Sequence, residues 1–176
     1  MGNSPLEKAM HAEFERLGPP AFDDEDRAFA EKIRATLSPD DIAYPYRRHG
    51  VPFQADQPLA DFITKLGQTG APMLGSTDVG DVSWKVPLVQ ADGATVAVGT
   101  PFHSWQMTAQ GKSALAKKGM VHVAKVMAAT AAEAIRNPEL LASAKADHAA
   151  RTAATPYVCP IPPDVKPNLQ PRPKGV

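Results

Sequence analysis

One cysteine, Cys159, stands in a chain of 176 residues, so no intramolecular disulfide can form. There is no excess of either charge, with 19 basic and 19 acidic residues. That balance argues against nucleic acid and anionic membrane surfaces as partners. No apolar run approaches the roughly 20 residues that a membrane-spanning helix needs. Met1 is followed by polar GNSPLEKA rather than by a secretory leader. A cytoplasmic protein is the expectation. Generic catalytic signatures are missing too: no phosphate-binding glycine loop, no paired-cysteine zinc motif, no two-histidine helix motif, and no nucleophile-elbow spacing around any serine.

What is present is strong helix punctuation. Asn3, Ser4, Pro5 and Glu7 form a start signal, and Leu6, Met10, Phe14 and Leu17 then recur on one helical face until Gly18-Pro19-Pro20 stops it. The acidic run Asp23-Asp24-Glu25-Asp26 reads as the N-terminus of a second helix through Phe29, Ile33 and Leu37, in preference to a metal cluster. Ser38-Pro39-Asp40-Asp41 repeats the start signal for a short helical turn, and Pro45 and Pro52 are expected to break regularity beyond it. Residues 86–90 and 94–99 are β-prone and flank Asp92-Gly93, which suits a tight turn. A long helix over 113–136 is expected to bury Leu115, Met120, Val123, Met127, Thr130 and Ala134. A further helix over 138–152 precedes a proline-rich tail. Strands mixed with framing helices predict an α/β or α+β class, with a main unit over 1–155 and an extended tail over 156–176.

His103 stands out because it follows the second β-prone run, and strand ends in open sheets commonly carry ligands and catalytic groups. By itself such a histidine is more often a surface or hydrogen-bonded residue. Trp105, two residues on, is expected to be buried. Ser76, Thr77, Asp78 and Asp81, in the run GSTDVGDVSW, read equally as a helix start and as polar groups that orient a substrate or a ligand.

Four blocks share an order and spacing: GSTDVGDVSWKVPLVQ, VGTPFHSWQ, AQGKSALAKKGMVHVAKVMAAT and TPYVCPIP. Together with LEKAMHAEFERLGPPAFDDEDRAFA they resemble the C-terminal region of amidohydrolases of the aminobenzoyl-glutamate hydrolase type, which belong to the aminoacylase and carboxypeptidase family of two-metal exopeptidases. The resemblance implies part of a zinc-exopeptidase-like α/β catalytic domain with a few strands flanked by helices. It implies cleavage of an amide between an acyl or aryl group and an amino acid, with two divalent ions, zinc or manganese, activating water. It makes His103 a metal ligand and puts Ser76, Thr77, Asp78 and Asp81 at the cleft wall. It also implies that the N-terminal half, the dimerisation domain and the general-base glutamate lie outside this chain, which has no adjacent glutamate pair. The chain alone is then expected to bind one metal weakly or none, and to be inactive. Exposed apolar stripes on the first and the long helix, self-association, or a partner chain supplying the rest would follow. The alternative is a non-catalytic interaction or regulatory module derived from such a hydrolase.

Overall fold

In a computed structural model, which describes residues 1–68, 70 and 77–167, the chain forms seven helices and no strand among those residues. They are α1 (Ser4–Leu17), α2 (Asp24–Arg34), α3 (Pro39–His49), α4 (Val79–Lys85), α5 (Trp105–Gln110), α6 (Ala114–Arg136) and α7 (Pro138–Ala153). The expected α/β class is therefore corrected to an all-helical fold.

The reason lies in where the β-prone amides go. A strand exists only if its backbone groups meet a neighbouring ladder. The Ala97 amide instead donates to the Gln110 side chain at 2.7 Å, and Val98 donates to the Pro58 carbonyl at 2.9 Å. The run is held as a packed connection, with the Ala97 methyl fully buried. High β propensity here reflects burial rather than pairing.

Helix starts follow the side chains that cap them. Asn3 caps α1 by accepting from the Leu6 amide, and its own amide group reaches the Ala144 carbonyl of α7 at 2.8 Å. One buried side chain thus ends one helix and ties it to another. Asp23 and Asp26 close a capping box on α2, and Ser38 and Asp41 do the same on α3. Contrary to expectation, α3 runs through Pro45 to the left-handed Gly50. Pro45 removes one amide and crowds the carbonyl four residues before it. The box at one end, the glycine cap at the other and the buried Tyr46 outweigh that loss.

Helices α1, α6 and α7 pack on one another. Met10 of α1 is buried there, and His122 of α6 lies 2.6 Å from the Gly18 carbonyl that ends α1. A second cluster joins Ala30 and Ile33 of α2, Leu59, Ala97 and Leu115 of α6, with Phe22 and Phe29 against it. Helix α6 belongs to both. Leu115 and Thr130 are buried as expected and Val123 and Ala134 are half-buried, but Gly119 and Val126 complete the packed face in place of Met120 and Met127, which are exposed. A buried glycine decides this, because it lets α6 touch the backbone of residues 94 and 95, which no larger side chain would allow.

Lys118 of α6 donates to both Asp23 and Asp26, at 2.5 Å each, and so links the long helix to the cap of α2. The hydrogen bond from Lys118, and then that from the Asp26 amide, lower Asp23 from 3.8 to about 2. The Ser38 hydroxyl and amide lower Asp41 likewise. A carboxylate with a depressed folded pKa stabilises above its unfolded value and loses that contribution as pH falls through the folded one. Lys118, raised by the same two aspartates, loses its share only at alkaline pH, above its ordinary 10.5. The melting temperature should therefore fall as pH drops from about 3.8 to about 2, and Asp23→Asn should flatten that slope. Differential scanning calorimetry at low ionic strength reads it, and an unchanged slope would exclude the cap as the acid-labile element.

No described helix is long and apolar enough to cross a membrane.

Candidate functional site

The turn that carries His103 is built from short-range bonds. Gly99 adopts φ +95 with its Cα packed on α3, where an added Cβ would come 2.7 Å from the Ile42 Cα. Only glycine combines that φ with that approach. Thr100 folds its hydroxyl back to the Ala97 carbonyl at 2.7 Å, and Ser104 does the same to the Pro101 carbonyl at 2.7 Å. Ser104 also caps α5 by accepting from the Met107 amide.

Between them His103 stands at φ 59, the one non-glycine in the left-handed region among the described residues. Such a conformation costs about 1 kcal/mol or more in a residue with a Cβ and persists where the surroundings impose it. The imidazole is exposed, beside Phe102 and Trp105, which are 68% and 62% exposed. Expected burial of Trp105 is thus overturned: its position opens α5 toward solvent while the other side of that helix turns inward. His103 is not a strand-end residue but a turn residue ahead of a helix.

The side chain that holds this turn does not stand out in the sequence. Gln110, the last residue of α5, is fully buried. Its carbonyl accepts from the Ala97 amide at 2.7 Å, and its amide donates to Thr100 Oγ1 and to the Gln106 carbonyl, both at 3.0 Å. Gln106 in turn makes long contacts of 3.4 and 3.5 Å with Thr36. A glutamine a few residues beyond a Gly-Thr-Pro turn is a weak signal, since exposed glutamines are commonplace at helix ends.

The other candidates lie on a different support. Ser76 is outside the described residues. The Thr77 hydroxyl accepts from the Val79 amide at 3.3 Å, Asp78 occupies the cap position of α4 without a side-chain bond, and Asp81 is exposed in the first turn. The Thr77 bond and the first-turn place of Asp81 fit a helix start, while Asp78 makes no capping bond. Helix α4 is anchored at Ser83, whose hydroxyl receives the Met1 amino group at 2.8 Å and whose carbonyl lies 3.1 Å from His148 Nε2. So His148 is half-buried and engaged rather than a free surface residue. Thr77 and Val79 line a cleft of about 260 Å³ with Glu7 and Gln90, and a second cleft of about 350 Å³ lies between Arg27, Gln57 and Asp61. His103 lines neither.

Among the described residues no three of histidine, cysteine, aspartate and glutamate gather as a metal would require. A two-metal centre needs several donors. His103 alone does not fit one.

No family model and no solved structure matches the chain. It is similar to a subunit of p-aminobenzoyl-glutamate hydrolase from Escherichia coli (strain K12), 38% identical over 176 residues. The match takes in 94% of this chain and 37% of that protein. The chain thus resembles one region of the relative and spans little more than a third of its length.

Proposed function

We propose that this chain is one portion of a metal-dependent amidohydrolase that cleaves an amide joining an aryl or acyl group to an amino acid, aminobenzoyl-glutamate being the model substrate. The rest of the active site comes from polypeptide outside the chain. One observation carries the reading: similarity along 94% of this chain to 37% of a protein named as a subunit of p-aminobenzoyl-glutamate hydrolase.

Within it, His103 is a donor to one of two divalent ions, zinc or manganese, and the turn around it serves to present a neutral imidazole in a fixed direction. Thr77, Asp78 and Asp81, with Ser76, orient substrate or the groups around the ions. The donors present in this chain do not make a centre, so no reaction step is assigned to it alone. A non-catalytic interaction or regulatory module derived from such a hydrolase is the second reading, and the lack of convergent ligands among the described residues is common to both.

A graft separates the two. Replacing the matching region of the Escherichia coli protein by this chain should preserve hydrolysis of aminobenzoyl-glutamate, while the isolated chain should show none. His103→Ala in the graft should lower kcat/KM by about 100-fold or more, since removing a group that merely orients a metal ligand already costs about 10–100-fold. A folded graft with His103→Ala as active as its parent would sink the assignment of the ligand. A folded graft without activity would favour the non-catalytic module.

A further inference from the structure

The cleft of about 350 Å³ lies between Arg27 of α2 and the connection over residues 54–61, and charged and amide side chains make most of its wall. That connection is fixed from behind. Tyr46 of α3 donates to the Gln54 carbonyl at 3.0 Å, Arg34 of α2 donates to the Ala55 carbonyl at 2.9 Å, and Leu59 is fully buried. The cleft is therefore formed by the fold itself, as small-molecule sites usually are.

One carboxylate organises the wall. Asp61 accepts from Arg27 Nη1 at 2.6 Å through one oxygen and from the Gln57 amide at 2.7 Å through the other. The second bond fixes which way the Gln57 amide points, because the reversed amide would set its oxygen against the carboxylate. Gln57 Oε1 is then buried without a hydrogen-bond partner. Among the described residues one other buried side-chain atom shares that state, Arg34 Nε, and Arg34 is the residue that holds Ala55. Buried polar atoms are normally paired, so an unmatched acceptor and an unmatched donor at one connection point to a group that supplies both.

We propose that this cleft binds a small free α-amino acid as its zwitterion. A guanidinium has five N–H donors and the bond to Asp61 uses Nη1, which leaves Arg27 donors for the carboxylate. Asp56 is exposed and in no ion pair among the described residues, and it takes the ammonium. A rotation of the Gln57 side chain brings its unmatched oxygen to the same group. Arg27 set against Asp56 and Asp61 leaves the wall net negative, which disfavours a simple anion or glutamate, while Arg27 opposes a simple cation. The volume stands at the low end of the ~300–1,000 Å³ of small-molecule sites, and only Ala55 and Pro58 are apolar there, which suits alanine or serine better than a large apolar side chain. His103 does not line the cleft, and the site does not depend on the hydrolase reading.

Proton–nitrogen correlation spectra of the whole chain, titrated with L-alanine, test it. Shifts should concentrate on residues 54–61 and on α2 around Arg27, and saturate with a Kd on the order of 1 mM, as expected of so small a ligand. N-acetyl-alanine lacks the ammonium and alaninamide lacks the carboxylate, and each should bind about tenfold or more weakly, as should acetate and glutamate. Asp56→Asn, at an exposed residue of the connection, should keep the fold and weaken alanine about threefold to tenfold. Arg27→Lys keeps the charge and can still meet Asp61 but loses the planar fork, so it should weaken alanine about tenfold. Three results would overturn the proposal: no shift at 54–61 with alanine up to about 50 mM, any of the four other compounds binding as well as alanine, or alanine binding unchanged in both variants.

Discussion

Gly119→Ala should destabilise the fold by about 1–3 kcal/mol, although the same exchange in an open helix stabilises by about 1 kcal/mol. The sign turns on what the new methyl meets. At Gly119 a Cβ would run into the Ala94 carbonyl oxygen and lie 2.8 Å from its carbon and 3.1 Å from the Thr95 Cα. Those are backbone atoms, and they cannot rotate out of the way. Either α6 retreats from the 94–97 segment, opening the Leu115 and Ala97 cluster, or that segment shifts and takes the Ala97 amide from Gln110. Gly80→Ala is the matched control. Nothing lies within 4 Å of a Cβ there, so its gain in helix propensity should appear unopposed. Urea titration followed by circular dichroism reads both. Equal stabilisation of the two variants would mean that α6 does not seat on the loop backbone.

The elements legible in sequence are those that local chemistry decides. Asn3, Asp23, Ser38, Ser113 and Asn137 each cap the next helix in the chain, and the helices over 4–17, 24–34 and 138–153 lie close to where their caps and stops place them. Methionine and valine spacing on α6 does not reveal that Gly119 and Val126 complete the packed face in place of the methionines, because the choice is made by a glycine that periodicity counts as neutral. Residues 86–99 mislead for a related reason. Their composition suits a buried extended segment, and whether such a segment pairs depends on neighbours that a single sequence does not exhibit. The expected uncovered stripes divide in the same way. Met10 on α1 is buried against the bundle, while Met120 and Met127 on α6 are not.

The candidate site is legible as residues and not as an arrangement. His103 is marked by its Gly-Thr-Pro-x-His setting, and its left-handed backbone, imposed by Gly99 on one side and the Ser104 cap on the other, is a property of the fold alone. Thr77, Asp78 and Asp81 sit on a helix tied to Met1 and α7, whereas the His103 turn is tied to α3 and α5. Nearness along the chain gives no measure of that separation in support.

Gln110→Ala should cost about 2–4 kcal/mol and release the turn that aims His103. The range combines an unsatisfied buried amide, worth about 1–3 kcal/mol, with the space vacated by a fully buried side chain. The loss is directional. The Ala97 amide keeps no partner, Thr100 Oγ1 loses its donor, and the 97–104 turn retains only its internal bonds. Gln110→Glu distinguishes the two sides of the amide. A carboxylate still accepts from Ala97 but cannot donate to Thr100 or to the Gln106 carbonyl. It should therefore keep Ala97 protected from hydrogen exchange while the turn beyond Thr100 loosens, and protonation at low pH should restore part of the donor. In the grafted hydrolase, Gln110→Ala assayed well below its melting temperature should lower kcat more than it raises KM, because a misdirected ligand harms the reacting geometry more than substrate capture. If exchange at Ala97 is unchanged, Gln110 does not hold the turn. If exchange rises while activity persists, His103 does not need its present direction to work.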